Sequence, residues 1–405
     1  MQAVIAALVY FAVISVTVPC VVLLLEVIAS RLPARYTSTT QIDPVRPTIA
    51  VLVPAHNEEL TIAGTVSAIR AQLAPTDRII VIADNCTDAT ARLATTAGAE
   101  VVERCDPLRR GKAYAIRRGL EYVRLQRPDV LILIDADTRP QPNSIHALAV
   151  QAVRSNRPSQ AIYVLEPPAR LKNQDILSHF AMLLKNRIRP RGLARLRLPC
   201  HITGSGIALP CHLTDRLSTI KNHLVEDMQF GVALAIDGTP AQLCEAATIT
   251  GELPDLHRAA FTQRRRWEHG HLATIIECAP RLVCHAILRR RLTLLALALD
   301  LSIPPLSLLC IAWLTVALGS CLAAIFLPSL MLAPFVITLA AGTSLFVAII
   351  LAWLFDGRRS VPLVALISVP FYVCWKVPLY LGFVFSRQQA WVRTARTHPL
   401  KSRFH

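Results

Sequence analysis

The sequence predicts an α/β domain on a doubly wound, mostly parallel sheet, bounded by transmembrane helices. Two observations carry that prediction. β-branched apolar runs alternate with helical stripes from Thr48 to Ile134, and nearly uncharged stretches of membrane-spanning length lie on either side of the charged middle.

The first such stretch, Val4 to Ile28, has one charge, Glu26. No Lys or Arg precedes it and no small-residue cleavage pattern follows, whereas Arg31 and Arg35 do. It is expected to stay as an anchor, with the N-terminus outside and the next domain in the cytoplasm. A polar connector leads to the first strand, Thr48 to Val53, which runs into Pro54-Ala55-His56-Asn57-Glu58-Glu59. Glu58 to Leu73 sets Ile62, Val66, Ile69 and Leu73 at helical spacing, giving one stripe to lie on a sheet. Arg78 to Ile82 is the second strand and stops at Asp84-Asn85-Cys86-Thr87-Asp88. Ala89 to Ala97 is the second helix, closed by Gly98. Glu100 to Glu103 opens a third unit with Gly111 to Leu125 as its helix. Val130 to Ile134 is apolar at every position, as a strand buried on both faces must be. The order βαβαβαβ calls for parallel strands with right-handed crossovers. Further on, Ala161 to Leu165 reads as a strand and Asp175 to Arg189 as a helix.

In open α/β sheets ligands bind outside the carboxyl ends of the strands, so the polar clusters there share one crevice. Asp135 and Asp137 follow the fourth strand at i and i+2. In extended chain they point to one side and can share a hard cation such as Mg²⁺ or Mn²⁺; a plain polar turn has the same composition. No GxGxxG follows the first strand, and Gly111-Lys112 lacks the upstream glycine of a P-loop. A helix start there can still meet a phosphate. In Ile202-Thr203-Gly204-Ser205-Gly206, two glycines around a hydroxyl permit close approach to a ligand. Glu226 and Asp227 open a helical stretch that runs to Ile236. A carboxylate there suits a general base, or simply the helix dipole. Gln263-Arg264-Arg265-Arg266-Trp267 sets an arginine beside a flat ring, which fits either a diphosphate and a sugar or a helix at lipid head groups.

Hydrophobic residues make up 53% of the 405-residue chain, and the mean hydropathy of +0.44 is too high for an ordinary soluble enzyme. Pro305 to Leu327, Ala333 to Phe355 and Val361 to Phe385 are the later candidate spans. If all three cross, the basic tail from Ser386 ends outside, against the positive-inside rule. A cytoplasmic tail therefore requires a re-entrant or interfacial segment, or that Leu292 to Ile303, with Asp300, joins the membrane. The net charge of +16 gathers mostly beside the apolar stretches, which favours lipid or nucleotide phosphate over nucleic acid. Eleven cysteines without a CxxC fit a reducing compartment. The doubled Pro-Cys-His at Pro199 to His201 and Pro210 to His212 matches no common zinc spacing.

Taken in order, PAHNEE, ADNCTD, RGK, DAD, TGSG, VED and QRRRW resemble the membrane-bound branch of glycosyltransferase family 2, which includes the cellulose, chitin and hyaluronan synthases. The resemblance covers about 220 residues from Val51 to Gly270 and implies a GT-A domain with inverting, metal-dependent transfer. On it, Asp227 is the base with Glu226 beside it, and Asp135 and Asp137 hold Mg²⁺ or Mn²⁺. Pro54, Asn57, Glu58, Asp84, Lys112, Asp135, Gly204, Ser205, Gln263, Arg266 and Trp267 contact substrate. The donor is a nucleotide sugar, a UDP-sugar by expectation. The acceptor is a polysaccharide or a lipid-linked glycan at the inner membrane, with membrane lipid and the subunits of an envelope complex as further partners. Asp84-Asn85-Cys86 departs from the consecutive acids of many relatives, and no gating loop follows QRRRW. The membrane portion is sparse for a polymer channel, so transfer to a lipid-linked acceptor, or synthesis of short chains, competes with polymer synthesis. A catalytically silent nucleotide-sugar-binding subunit is the alternative from another class. The expected division is an anchor at 1–30, a linker at 31–47, the GT-A domain at 48–280, an interfacial region at 281–303, membrane segments at 304–386 and a basic tail at 387–405.

Overall fold

The computed structural model describes residues 2–34, 46–166, 173–220, 225–253 and 257–385, so most of the linker and the whole of the basic tail 387–405 lie outside the described residues. Two compact units result. One gathers Arg35–Arg170 and Pro199–Gly270 around a sheet; the other gathers Met1–Ala34, Leu171–Leu198 and His271–Gln388.

The sheet has eight strands: β1 Ile49–Ala55, β2 Arg78–Asp84, β3 Glu100–Arg104, β4 Val130–Leu133, β5 Thr138–Pro140, β6 Ser159–Glu166, β7 Ile207–Pro210 and β8 Gln242–Glu252. Their order is β3-β2-β1-β4-β7-β6-β8-β5. The first four are parallel, as the βαβ pattern requires, and the chain steps back from β3 to β4 on the other side of β1. That reversal opens a crevice at the carboxyl ends of β1 and β4. The second half is mixed: β7 runs antiparallel to β4 and β6, and β5 antiparallel to β8. β-branched residues suit these strands because both faces are covered. Val51, Val53, Ile79, Val81 and Ile132 pack one face against Ile62, Val66 and Ile69 and against Ile145 and Leu148. Leu52, Ile80, Ile82 and Leu131 pack the other against Ile116 and Leu120 of helix Lys112–Val123 and Phe230 of helix Glu226–Ile236.

The second unit is helical. Helix Gln2–Ala29 packs against Pro328–Ala352, Leu306–Phe326 and Arg189–Arg195, and its Val16, Cys20, Leu23 and Val27 share one apolar cluster with Ile176, Phe180, Leu184 and Ile188 of a segment inserted between β6 and β7. The expected helix from Asp175 is there, but a π-helical turn at Leu184–Ile188 interrupts it before Arg189–Arg195. Arg189 bonds both Glu26 (3.1 Å) and Asp300 (2.5 Å), and all three side chains are buried. Helices Leu306–Phe326 and Pro328–Ala352 form a hairpin about Leu327, with Trp313 Nε1 donating to the Thr338 carbonyl at 2.9 Å. A π-helical turn, Trp353–Gly357, ends the second arm, where Asp356 accepts from Arg31 and, at 3.4 Å, from Arg191. Val361 to Phe385 is not one helix: Leu363–Ile367 and Val369–Phe385 are separate, and the longer has 17 residues, about 26 Å at 1.5 Å each. Among the described residues, four helices are long and apolar enough to cross a membrane: Val4–Ala29, Phe261–Leu288, Leu306–Phe326 and Pro328–Gly357.

Candidate active site

The chain leaves β4 and turns at once. Thr138 donates N–H and Oγ1–H to the Asp135 carbonyl (3.1 and 2.9 Å), closing a turn around Asp137. The Asp135 N–H donates to Ser205 Oγ at 2.9 Å, and Ser205 Oγ shares a 2.9 Å hydrogen bond with Thr138 Oγ1. The Asp-Ala-Asp turn is therefore pinned to the Thr203–Gly206 loop. Gln160 in β6 holds that loop from behind: its Oε1 accepts the Thr203 N–H at 3.1 Å and its Nε2 donates to the Ser205 carbonyl at 3.0 Å. The loop also reaches the other acidic motif. Gly204, at φ +65°, donates its N–H to Asp227 Oδ2, and the Met228 N–H donates to Asp227 Oδ1 at 2.8 Å. A Cβ at Gly204 would stand 2.7 Å from the Tyr163 ring, so no other residue fits there without moving it.

Charges converge on this frame. Lys112, the first residue of its helix, places Nζ 2.6 Å from Asp135 Oδ1 and 3.8 Å from Glu226 Oε1. Burial opposes its charge, yet Asp135, Glu226 and Asp227 outweigh burial and raise its pKa. Burial raises the Asp135 pKa, Lys112 pulls it back, and the charge on Asp137 raises it again. Glu226 is pushed up to about 7, chiefly by burial and against the pull of Lys112, with the charge on Asp227 adding to the rise. Arg266 lies within the field of all four acids; burial lowers its pKa and their charge opposes the fall. The structure thus brings together Lys112, Asp135, Asp137, Gly204, Ser205, Glu226, Asp227 and Arg266.

Other expected residues stand apart from that cluster. Pro54 is half-buried at the end of β1. Asn57 accepts the Thr87 N–H at 2.7 Å, and the Glu58 N–H donates to Thr90 Oγ1 at 2.7 Å, so both lace the loop after β1 to the loop after β2. Asn57 and Asn85 both take the left-handed conformation, which asparagine tolerates better than most residues. Asp84 closes β2 and pairs with Arg104, its neighbour across β3, at 2.5 Å. Gln263 is buried and its Oε1 has no partner among the described residues; Trp267 is half-buried. Sequence reading did not find Thr138, Gln160 or Arg104. Thr138 and Arg104 carried a signal, a polar group at or just past a strand end; Gln160, inside a strand, carried none.

The family model described as glycosyltransferase like family 2 matches residues 47–270. The probable glycosyltransferase YdaM of Bacillus subtilis (strain 168) is 23% identical over 247 residues, 57% of each chain. Protein RfbJ of Shigella flexneri is 36% identical over 89 residues, 22% of this chain and 64% of its own. The chain therefore spans less than two thirds of the length of either relative. Among solved structures, the mannosyltransferase PcManGT from Pyrobaculum calidifontis, in complex with GDP-Man and Mn²⁺, superposes with a TM-score of 0.52 at 18% identity, over 93% of this chain and all of its own. That likeness establishes the mixed GT-A-like sheet. With the family match spanning more than half of its residues, from the start of the sheet to the end of the QRRRW motif, the chain belongs to glycosyltransferase family 2.

Proposed function

We propose that this protein moves a sugar, with inversion, from a nucleotide sugar to an acceptor hydroxyl at the cytoplasmic membrane face, the acceptor being a lipid-linked or polysaccharide glycan. The observation that supports it most is the convergence of Asp135, Asp137, Lys112, Asp227 and Arg266 around the Thr203–Gly206 loop. Asp135 and Asp137 fit a divalent ion: the charge on Asp137 raises the pKa of Asp135, a repulsion that a hard cation relieves. When bound, Mg²⁺ or Mn²⁺ neutralises the diphosphate leaving group. Lys112 and Arg266 add positive charge on the same side, and Asp84 meets the nucleotide. Asp227, oriented by two main-chain N–H groups, takes the proton from the acceptor hydroxyl. That oxygen bonds to the anomeric carbon as the bond to the diphosphate oxygen breaks.

The membrane reading rests on the helical unit. Arg31 and Arg191 both bond Asp356, which sets the end of the first span beside the end of the fourth candidate, Pro328–Gly357. The hairpin about Leu327 returns the start of Leu306–Phe326 to that same side. Arg358 and Arg359 follow it, so by the positive-inside rule this side is cytoplasmic. Phe261–Leu288 carries Arg264, Arg265, Arg266 and Glu268 at its start and is read as not crossing.

A donor panel tests this, with purified protein in lipid, Mn²⁺ or Mg²⁺, and crude membrane lipid as acceptor. One nucleotide sugar should release its nucleoside diphosphate, with label in the lipid extract or in a growing chain. Asp137→Ala should remove metal-dependent nucleoside diphosphate binding; unchanged metal dependence would sink the cation assignment. A donor that binds but never turns over would favour the silent-subunit reading.

A further inference from the structure

Arg104 is the most engaged side chain of the sheet unit that the catalytic scheme leaves unused. It ends β3, in register with Asp84 at the end of β2, and its side chain is 13% exposed. Its Nη1 donates to Asp84 Oδ1 at 2.5 Å and to the Arg109 carbonyl at 2.8 Å, and its Nη2 donates to Asp106 Oδ2 at 3.0 Å. The guanidinium also lies 5.5 Å from the centroid of the Tyr114 ring, whose helix begins at Lys112. Asn85 completes the frame: its Nδ2 donates to Asp84 Oδ1 at 3.1 Å, and its Oδ1 accepts the Asp106 N–H at 2.8 Å.

The two hydrogen bonds that reach the Asp84 side chain, from Arg104 and from Asn85, fall on one oxygen, Oδ1. Among the described residues, Oδ2 accepts none, although the side chain is only 6% exposed. A carboxylate held by one oxygen offers the other as an acceptor of fixed direction, and it cannot donate. Its natural counterpart is a ring N–H, as on uracil or guanine. Cytosine and adenine present a lone pair at the equivalent edge and would leave the carboxylate facing another acceptor. The loop that Arg104 fastens, Asp106 to Gly111, leads straight into Lys112, on the phosphate side.

We propose that Arg104 is a positioning residue of the nucleotide site: one planar fork aims Asp84 at a ring N–H of the base and sets the loop that delivers Lys112 to the diphosphate. The inference rests on the nucleotide-sugar reading and adds the class of base, one bearing a ring N–H, to it. An arginine serves here because three acceptors in different directions need several fixed donors; a lysine ammonium on a flexible stem cannot hold them together.

Direct binding of UDP, GDP, CDP and ADP to the full-length protein tests this, with unfolding temperature as the control for folding. Wild type should bind UDP or GDP, and the better of the two names the base. Arg104→Gln should lose roughly tenfold to a hundredfold in that affinity, the range expected when a buried polar group loses its partner, and should flatten the preference over CDP and ADP. Arg104→Lys should fall between. A purely structural role would lower the unfolding temperature and leave the ranking of bases unchanged. If Arg104→Gln does not fold, Asp106→Asn, in the more exposed half of the network, should weaken binding severalfold in a folded protein. Unchanged affinity and ranking in folded variants would overturn the assignment, as would tighter binding, which would make Arg104 a stand-in for the base. Failure of wild type to bind any nucleoside diphosphate would instead bring down the functional reading, and this inference with it.

Discussion

Asp227 is held from both sides, its two oxygens taking N–H bonds from Gly204 and Met228. An asparagine has nearly the same shape but offers one acceptor and one donor, so one of those N–H groups would face an amide N–H. Asp227→Asn should therefore leave nucleoside diphosphate affinity close to wild type while transfer falls by about 10² or more, the scale of losing a general base. Turnover within a few-fold of wild type would remove Asp227 from that role. Residues of this kind stood out in the sequence as candidates, as carboxylates two apart after a buried strand or paired at a helix start, although a polar turn and the helix dipole account for the same patterns. The groups that orient them did not. Gln160 reaches Thr203 across 43 positions and Arg104 reaches Asp84 across 20, and nothing in local composition marks either link.

Among the elements, the Thr203–Gly206 loop does the most joining: Ser205 fixes the Asp-Ala-Asp turn and Gly204 holds the Asp227 carboxylate. Gly204→Ala would put a Cβ against the Tyr163 ring at a φ of +65°, costing about 1–2 kcal/mol in backbone strain alone. The expected result is a modest fall in unfolding temperature with a much larger loss of transfer, because the N–H that aims Asp227 is displaced. Equal losses in both would mean the loop acts only through stability. The parallel half of the sheet was readable from unbroken apolar runs. β5, β7 and β8 were not, since Thr138–Pro140 and Ile207–Pro210 are very short and QLCEAATITGE alternates only weakly. A strand of three or four residues is too short to show a period, however well it is buried.

At the scale of the whole chain, Leu171–Leu198 gathers with Met1–Ala34 and His271–Gln388 and not with the sheet on either side of it in the sequence. Its apolar face, Ile176, Phe180, Leu184 and Ile188, looked in sequence like one more helix of the sheet domain. The residues that share its cluster, on helices Gln2–Ala29, Pro328–Ala352 and Leu363–Ile367, lie far away in the chain. The hairpin about Leu327 and the Asp356 contacts make a topological prediction. A reporter inserted after Leu327 should read as outside, and one after Arg359 as cytoplasmic. Both on the same side would rule out the three-span arrangement.

The buried trio of Glu26, Arg189 and Asp300 has a consequence in time as well as in space. On the membrane reading proposed above, Glu26 enters the bilayer with the first helix, yet the arginine that pairs with it is made 163 residues later, and Asp300 another 111 residues after that. An acidic group in lipid is costly until it is matched. The first helix can be inserted early, but it cannot settle into its final seat until most of the catalytic sheet has been synthesised. On that reading the chain carries its own order of assembly, in which the first helix comes first and is locked last.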